Sequence, residues 1–174
     1  AIDDTTIVLN EVAGSMYTVV RQLPRTEPGT YFTQYGSSLG WGLGAALGAK
    51  LAAPDRTVVL LVGDGAFIYG CPTAALWAAG YYNAPHLTII FNNGEYRALR
   101  GIWPLVYGGY SFSEKTGDWV GVDFSPAPDY ALIAQACGAY GQRVEEPSQL
   151  KGAIRQALDI VRRGQTAVLD VIIG

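Results

Sequence analysis

Apolar positions in this chain gather into short unbroken runs instead of alternating with polar ones. Residues 5–9, 57–62, 87–91 and 166–173 are rich in β-branched residues and leucine, and each run is bounded by polar residues or glycine. Runs of this length predict strands buried on both faces. Tyr31–Thr33 and Tyr140–Val144 predict two briefer strands. Between the runs the spacing turns helical. Val12, Met16, Val19, Val20 and Leu23 share one face of a segment that stops at Pro24. Residues 130–137 predict another helix. Pro147 opens a last one, with Leu150, Ile154, Leu158 and Val161 on its inner face and Gly164 at its end. The alternation of strand and helix predicts an α/β fold of one domain spanning residues 1–174: a doubly wound, mostly parallel sheet with helices on both faces.

Two stretches depart from this pattern. Residues 39–53 form a helical segment carrying Gly40, Gly42, Gly44 and Gly48. Each glycine costs a helix about 1 kcal/mol against alanine, so either tight packing on the sheet or close approach to a ligand must offset it. Ser37 and Ser38 stand where an N-cap belongs. Beyond a helical start at residues 96–100, residues 102–128 have no clear period but hold Trp103, Tyr107, Tyr110, Phe112, Trp119 and Phe124. A loop this long predicts a lid, a binding loop or an interface, or else a wrap over the domain's own core.

Composition narrows the classes. A hydrophobic content of 49% with 16% charged residues excludes a disordered chain. The net charge of −3, with Arg155, Arg162 and Arg163 as the densest basic group, gives no electrostatic case for nucleic acid. The most apolar window is too short to span a bilayer and contains Lys50. The N-terminus lacks the basic and apolar regions of a signal peptide, so a cytoplasmic location is expected. Cys71 and Cys137 have no metal-binding spacing and are expected to be buried thiols in a reducing compartment. His86, the sole histidine, reads as surface or structural rather than catalytic.

The chemistry concentrates at two strand ends. Gly63-Asp64-Gly65 closes one apolar strand, and Asn92-Asn93-Gly94 closes the next, with 26 residues between Gly65 and Asn92. One helix and one strand fill that interval, so both groups reach the same edge of a parallel sheet, where open α/β sheets bind ligands. A carboxylate and amides there suit a hard cation together with phosphate oxygens. Glu11, at the end of the first strand, reaches the same edge.

This motif pair resembles the thiamine diphosphate motif, GDG followed at such an interval by NN. Ala75-Leu76-Trp77, Tyr82-Asn83-Ala84-Pro85 and the run from Asn92 to Arg100 are similar to the benzoylformate decarboxylase and acetolactate synthase superfamily. The resemblance runs from Val8 to the last strand and implies the C-terminal, diphosphate-binding domain of such an enzyme. It implies that Asp64, the Asn93 side chain and the Glu95 carbonyl hold Mg²⁺. Gly63, Gly65, Ala66 and Tyr96 would line the diphosphate pocket, and Leu39 would bend the cofactor. Ser37 and Ser38 would lie beside the aminopyrimidine. At positions 13 and 14, Ala13 and Gly14 stand where the pattern has hydroxyl residues, leaving Ser15.

The implied activity is decarboxylation of a small 2-oxo acid, through attack of the thiazolium carbanion (the ylid) on the 2-oxo group and loss of CO₂. An acetolactate synthase-type carboligase is the related alternative, and a non-catalytic cofactor- or phosphate-binding subunit the alternative of another class. The resemblance assigns no catalytic side chain to this chain. The activating glutamate belongs to a pyrimidine-binding domain, which is the expected partner, in a homodimer or tetramer when complete.

Overall fold

The computed structural model describes residues 2–34, 36 and 38–173, so Ser37 lies outside the described residues. Six strands form one sheet: β1 (Ile7–Glu11), β2 (Tyr31–Thr33), β3 (Val58–Gly63), β4 (Leu87–Asn92), β5 (Tyr140–Val144) and β6 (Ala167–Ile172). Their spatial order is β2-β1-β3-β4-β6-β5, and every pairing is parallel. The expected doubly wound fold is therefore present, with no antiparallel strand in the sheet. The winding reverses between β1 and β3, which leaves a crevice beyond their C-terminal ends.

Alternate residues of each inner strand feed two separate cores. Val58, Leu60 and Val62 face one layer; Val59 and Leu61 face the other. The first layer is closed by α2 (Trp41–Ala52), α3 (Asp64–Tyr69), α4 (Pro72–Tyr81) and α7 (Tyr130–Ala136), which contribute Leu43, Phe67, Leu76 and Tyr130. The second is closed by α1 (Met16–Gln22) and α8 (Pro147–Arg162), through Val19, Ala157, Leu158 and Val161. Parallel strands covered on both faces have no polar side to show, which is why their sequence reads as unbroken apolar runs.

Four expectations change. Residues 102–128 are not one loop: α5 (Arg97–Tyr107) extends well into them and α6 (Phe112–Thr116) follows, capped by Ser111 and Glu114. Gly101 and Pro104 obscure the helical period of Leu99, Ile102, Trp103 and Val106. The segment between β3 and β4 is two helices, broken where Gly70 and Cys71 intervene, with Cys71 left-handed at φ 53°. The N-cap of α2 is neither serine but Gly40, at φ 89°, whose hypothetical Cβ would lie 2.8 Å from the Gly70 Cα. Backbone crossing backbone at that distance admits only glycine. Finally, neither thiol is buried: Cys71 is exposed and Cys137 half-buried.

His86 is structural and fully enclosed. Its Nδ1 lies 3.1 Å from the Ala84 carbonyl, and burial holds its pKa down at about 4, against an ordinary 6.5. The folded protein thus keeps His86 neutral while the unfolded chain binds a proton below about pH 6.5. Stability from this group is complete above pH 6.5 and falls as the pH drops towards 4, by up to about 3 kcal/mol. The buried Asp64, Glu11 and Asp170, whose pKa values burial raises, act in the opposite sense. The comparison to make is the urea midpoint of the parent against a His86→Phe variant. Lowering the pH from 7.5 to 5 should cost the parent more.

Candidate cofactor site at the sheet edge

Asp64 begins α3 directly after β3, and only 2% of its surface is exposed. Its carboxylate gathers backbone from two strand ends. One oxygen accepts the N–H of Gly65 at 2.9 Å, and the other accepts those of Gly94 at 2.7 Å and Asn93 at 3.2 Å. Burial raises its pKa, and these three N–H groups oppose the rise. Two motifs 26 residues apart are therefore joined by direct hydrogen bonds.

The two asparagines diverge. Asn93 lines the cavity, and its Oδ1 accepts the Glu95 N–H at 3.1 Å, in an Asx turn made possible by Gly94 at φ 73°. Asn92 turns inward instead, and its Nδ2 donates to Asp170 at 2.8 Å. Of the two amides expected at this edge, the structure brings Asn93 to the cavity and turns the Asn92 side chain into the sheet. The Glu95 carboxylate is taken up by two ion pairs, with Arg97 and Arg100 at 2.8 Å each. The Arg97 hydrogen bond, followed by that of Arg100, holds the Glu95 pKa below its ordinary value. That leaves Glu95 its main chain, not its side chain, as a possible ligand.

A cavity of about 290 Å³ opens at this edge. Val12 to Ser15 after β1, Gly63 to Ala66 after β3, and Asn93 with the start of α5 after β4 line it, together with Glu11 and Leu39. It is at the small end for a cofactor site and suits a pocket whose remaining wall comes from elsewhere. Ser38 is exposed and does not line it. Among the described residues no three His, Cys, Asp or Glu side chains cluster as a metal site. A cation here would rest on one carboxylate, neutral oxygens and the ligand's own phosphates, as Mg²⁺ commonly does.

The motif glycines serve different ends. A Cβ on Gly65 would lie 2.4 Å from the Tyr96 ring, which stacks edge-on with Phe124 at 4.5 Å. A Cβ on Gly63 would meet only open space, so that glycine leaves room in front of the strand. Glu11 was legible only by its position. Its buried carboxylate accepts the N–H groups of Gly40 and, at 2.8 Å, Gly42. Burial raises its pKa against these bonds. A Cβ on Gly42 would sit 2.6 Å from that carboxylate, whereas Gly44 and Gly48 have no neighbour within 4 Å. The glycine-rich helix thus uses Gly42 for close packing and leaves the other two bare.

Fold and edge together define a doubly wound domain with a buried carboxylate at its topological switch point and an oxygen-donor turn at the neighbouring strand end. Residues 12–171 match the family "Thiamine pyrophosphate enzyme, C-terminal TPP binding domain", and the chain belongs to that family. It is 35% identical over 152 residues to benzoylformate decarboxylase from Pseudomonas aeruginosa, covering 87% of this chain and 27% of that protein. With a probable acetolactate synthase large subunit of Methanococcus aeolicus it shares 28% identity, covering 91% of this chain and 25% of the other. Among solved structures it resembles a thiamine diphosphate-dependent 4-hydroxybenzoylformate decarboxylase of Rhodococcus jostii RHA1. The TM-score there is 0.81 at 33% identity, over 98% of this chain and 29% of that one. The chain thus spans between a quarter and three tenths of these relatives' length. No described helix is long and apolar enough to cross a membrane.

Gly65→Ala should destabilise the fold by about 1–3 kcal/mol, because the new methyl group meets the Tyr96 ring. A Tyr96→Ala background should remove most of that loss. Chemical denaturation of the parent, both single variants and the double variant reads the coupling.

Proposed function

We propose that this chain is the diphosphate- and Mg²⁺-binding part of a thiamine diphosphate-dependent 2-oxo acid decarboxylase of the benzoylformate decarboxylase type. The observation that carries the reading is the Asp64 carboxylate, buried at the cavity and hydrogen-bonded to the Asn93-Gly94 turn. A carboxylate with its pKa raised by burial is costly alone, and a hard cation beside it offsets that cost. The donor set therefore fits Mg²⁺. Asp64, the Asn93 amide oxygen and the Glu95 carbonyl would hold the ion. Asn93 keeps a second lone pair for it beyond the Glu95 N–H.

Bound thiamine diphosphate supplies a carbon nucleophile for the 2-oxo group and an electron sink for the pair left behind by CO₂. The chain's own residues grip, orient and desolvate. Gly63 leaves room for phosphate oxygens, and Ala66 and Gly65, whose N–H also donates to Asp64, line the cavity at the start of α3, where their backbone would meet those oxygens. Glu11 pins Gly40 and so holds Leu39 at the cavity wall, against which the cofactor would bend. Val12, Phe91, Leu99 and Ile102 keep the wall apolar, which strengthens every charge interaction inside. Ser15 adds an aliphatic hydroxyl to this wall. No general base is assigned to this chain; the activating glutamate, and most of the substrate pocket, belong to a pyrimidine-binding domain of the same enzyme. Carboligation of the acetolactate synthase type is the second reading, favoured by the relative from Methanococcus aeolicus.

Calorimetric titration with thiamine diphosphate should reveal Mg²⁺-dependent binding that strengthens when a pyrimidine-binding domain of the family is added. Asp64→Ala should abolish it. Absence of Mg²⁺-dependent binding under both conditions, or binding by Asp64→Ala equal to the parent's, would overturn the reading.

A further inference from the structure

Asp170 sits in the middle of an apolar strand, with none of its surface exposed. One of its oxygens accepts the Asn92 Nδ2–H at 2.8 Å; the other has no hydrogen bond among the described residues and lies 4.0 Å from the half-exposed Arg143 guanidinium. Nothing in packing calls for an acid at this point. Its neighbours on β6 are valines, leucine and isoleucine, and a buried carboxylate so poorly compensated costs stability. Nor does it reach the cavity, whose lining does not include it.

Its effect lies in the group it holds. The Asn92 amide has a donor end and an acceptor end, and either could face the turn. An ionised carboxylate can only accept, so Asp170 selects the orientation in which Nδ2 points inward. The Asn92 Oδ1 then faces outward and accepts the Gly94 N–H at 3.1 Å, the same N–H that donates to Asp64 at 2.7 Å. With the amide reversed, Nδ2–H would confront the Gly94 N–H, donor against donor. The Asn92 carbonyl is fixed as well, accepting the Ile173 N–H at 2.9 Å as the sheet ladder continues.

We propose that Asp170 is a positioning residue: through the Asn92 amide it sets the Asn92–Gly94 turn that presents Asn93 and Glu95 to the cofactor edge. The relay is Asp170 to Asn92 to Gly94 to Asp64, and it ties the middle of β6 to the end of β3 across β4. The consequence for cation binding rests on the proposed function; the consequence for the turn does not.

Two measurements separate them. Native-state hydrogen exchange on the cofactor-free chain reads the turn directly. Asp170→Leu should speed exchange at the Gly94 amide by about tenfold or more, while the Leu60 and Ile90 amides of the central strands change far less. Asp170→Asn, which keeps an acceptor oxygen, should restore slow exchange. Mn²⁺ binding in the presence of thiamine diphosphate, followed by electron paramagnetic resonance with the pyrimidine-binding domain added, reads the cofactor edge. There Asp170→Leu should weaken Mn²⁺ by about 10- to 100-fold, the usual effect of losing a group that orients a ligand, with Asp170→Asn close to the parent. Unchanged exchange at Gly94, or exchange raised equally across the sheet, overturns the relay. A relay seen in exchange together with no Mn²⁺ binding by the parent supports the turn assignment and overturns the cofactor reading alone.

Discussion

The arrangement of this site depends on one buried carboxylate that has no side-chain cation beside it. Asp64 is satisfied by three backbone N–H groups, two of them from the turn after the neighbouring strand. Backbone donors cannot rotate away as lysine or arginine can, so the charge is held in place by the sheet register itself. The β3–β4 pairing, which sets Gly63 beside Phe91, brings the two motifs level. A slip of one residue would reverse every side chain of β4 and separate them.

The same solution is used a second time at β1. Glu11 is as buried as Asp64 and again accepts main-chain N–H groups, here from the start of α2. Two carboxylates on either side of the switch point thus act as sockets for loops, and both carry a pKa raised by burial. The edge is thus preorganised by main-chain donors alone. Arg97 and Arg100, which could have paired with it, are instead committed to Glu95.

Much of this was legible in the amino-acid order, for physical reasons that also mark where legibility ended. Strands covered on both faces write continuous apolar runs, so β1, β3, β4 and β6 could be placed. Because a helical segment and a strand must separate neighbouring parallel strand ends, the interval between Asp64 and Asn93 assigns both to one edge. The apolar residues of α5 do share one helical face, but Gly101 and Pro104, both poor helix formers, interrupt the segment and hid it. Gly40 could not be recognised as the α2 cap, because its left-handed backbone answers to Gly70, far away in sequence. Asn92 and Asn93 are chemically identical, and only the position of Asp170 decides which of them turns inward. The visible trace of Asp170 was a single acid inside a strand otherwise free of charge.

The α5 helix has a consequence for how the molecule opens. None of its residues is buried, and Leu105 is 85% exposed. Its attachment runs through the Tyr96–Phe124 contact and the backbone pairing of Glu95 with Asp123. The six-stranded sheet loses no core contact when α5 melts. Within this chain α5 therefore has little buried surface to resist local unfolding. Ala98, Leu99 and Ile102 of α5 form one wall of the cavity, so loosening of this helix alone would open that wall while both cores stay intact, a change that global denaturation does not report.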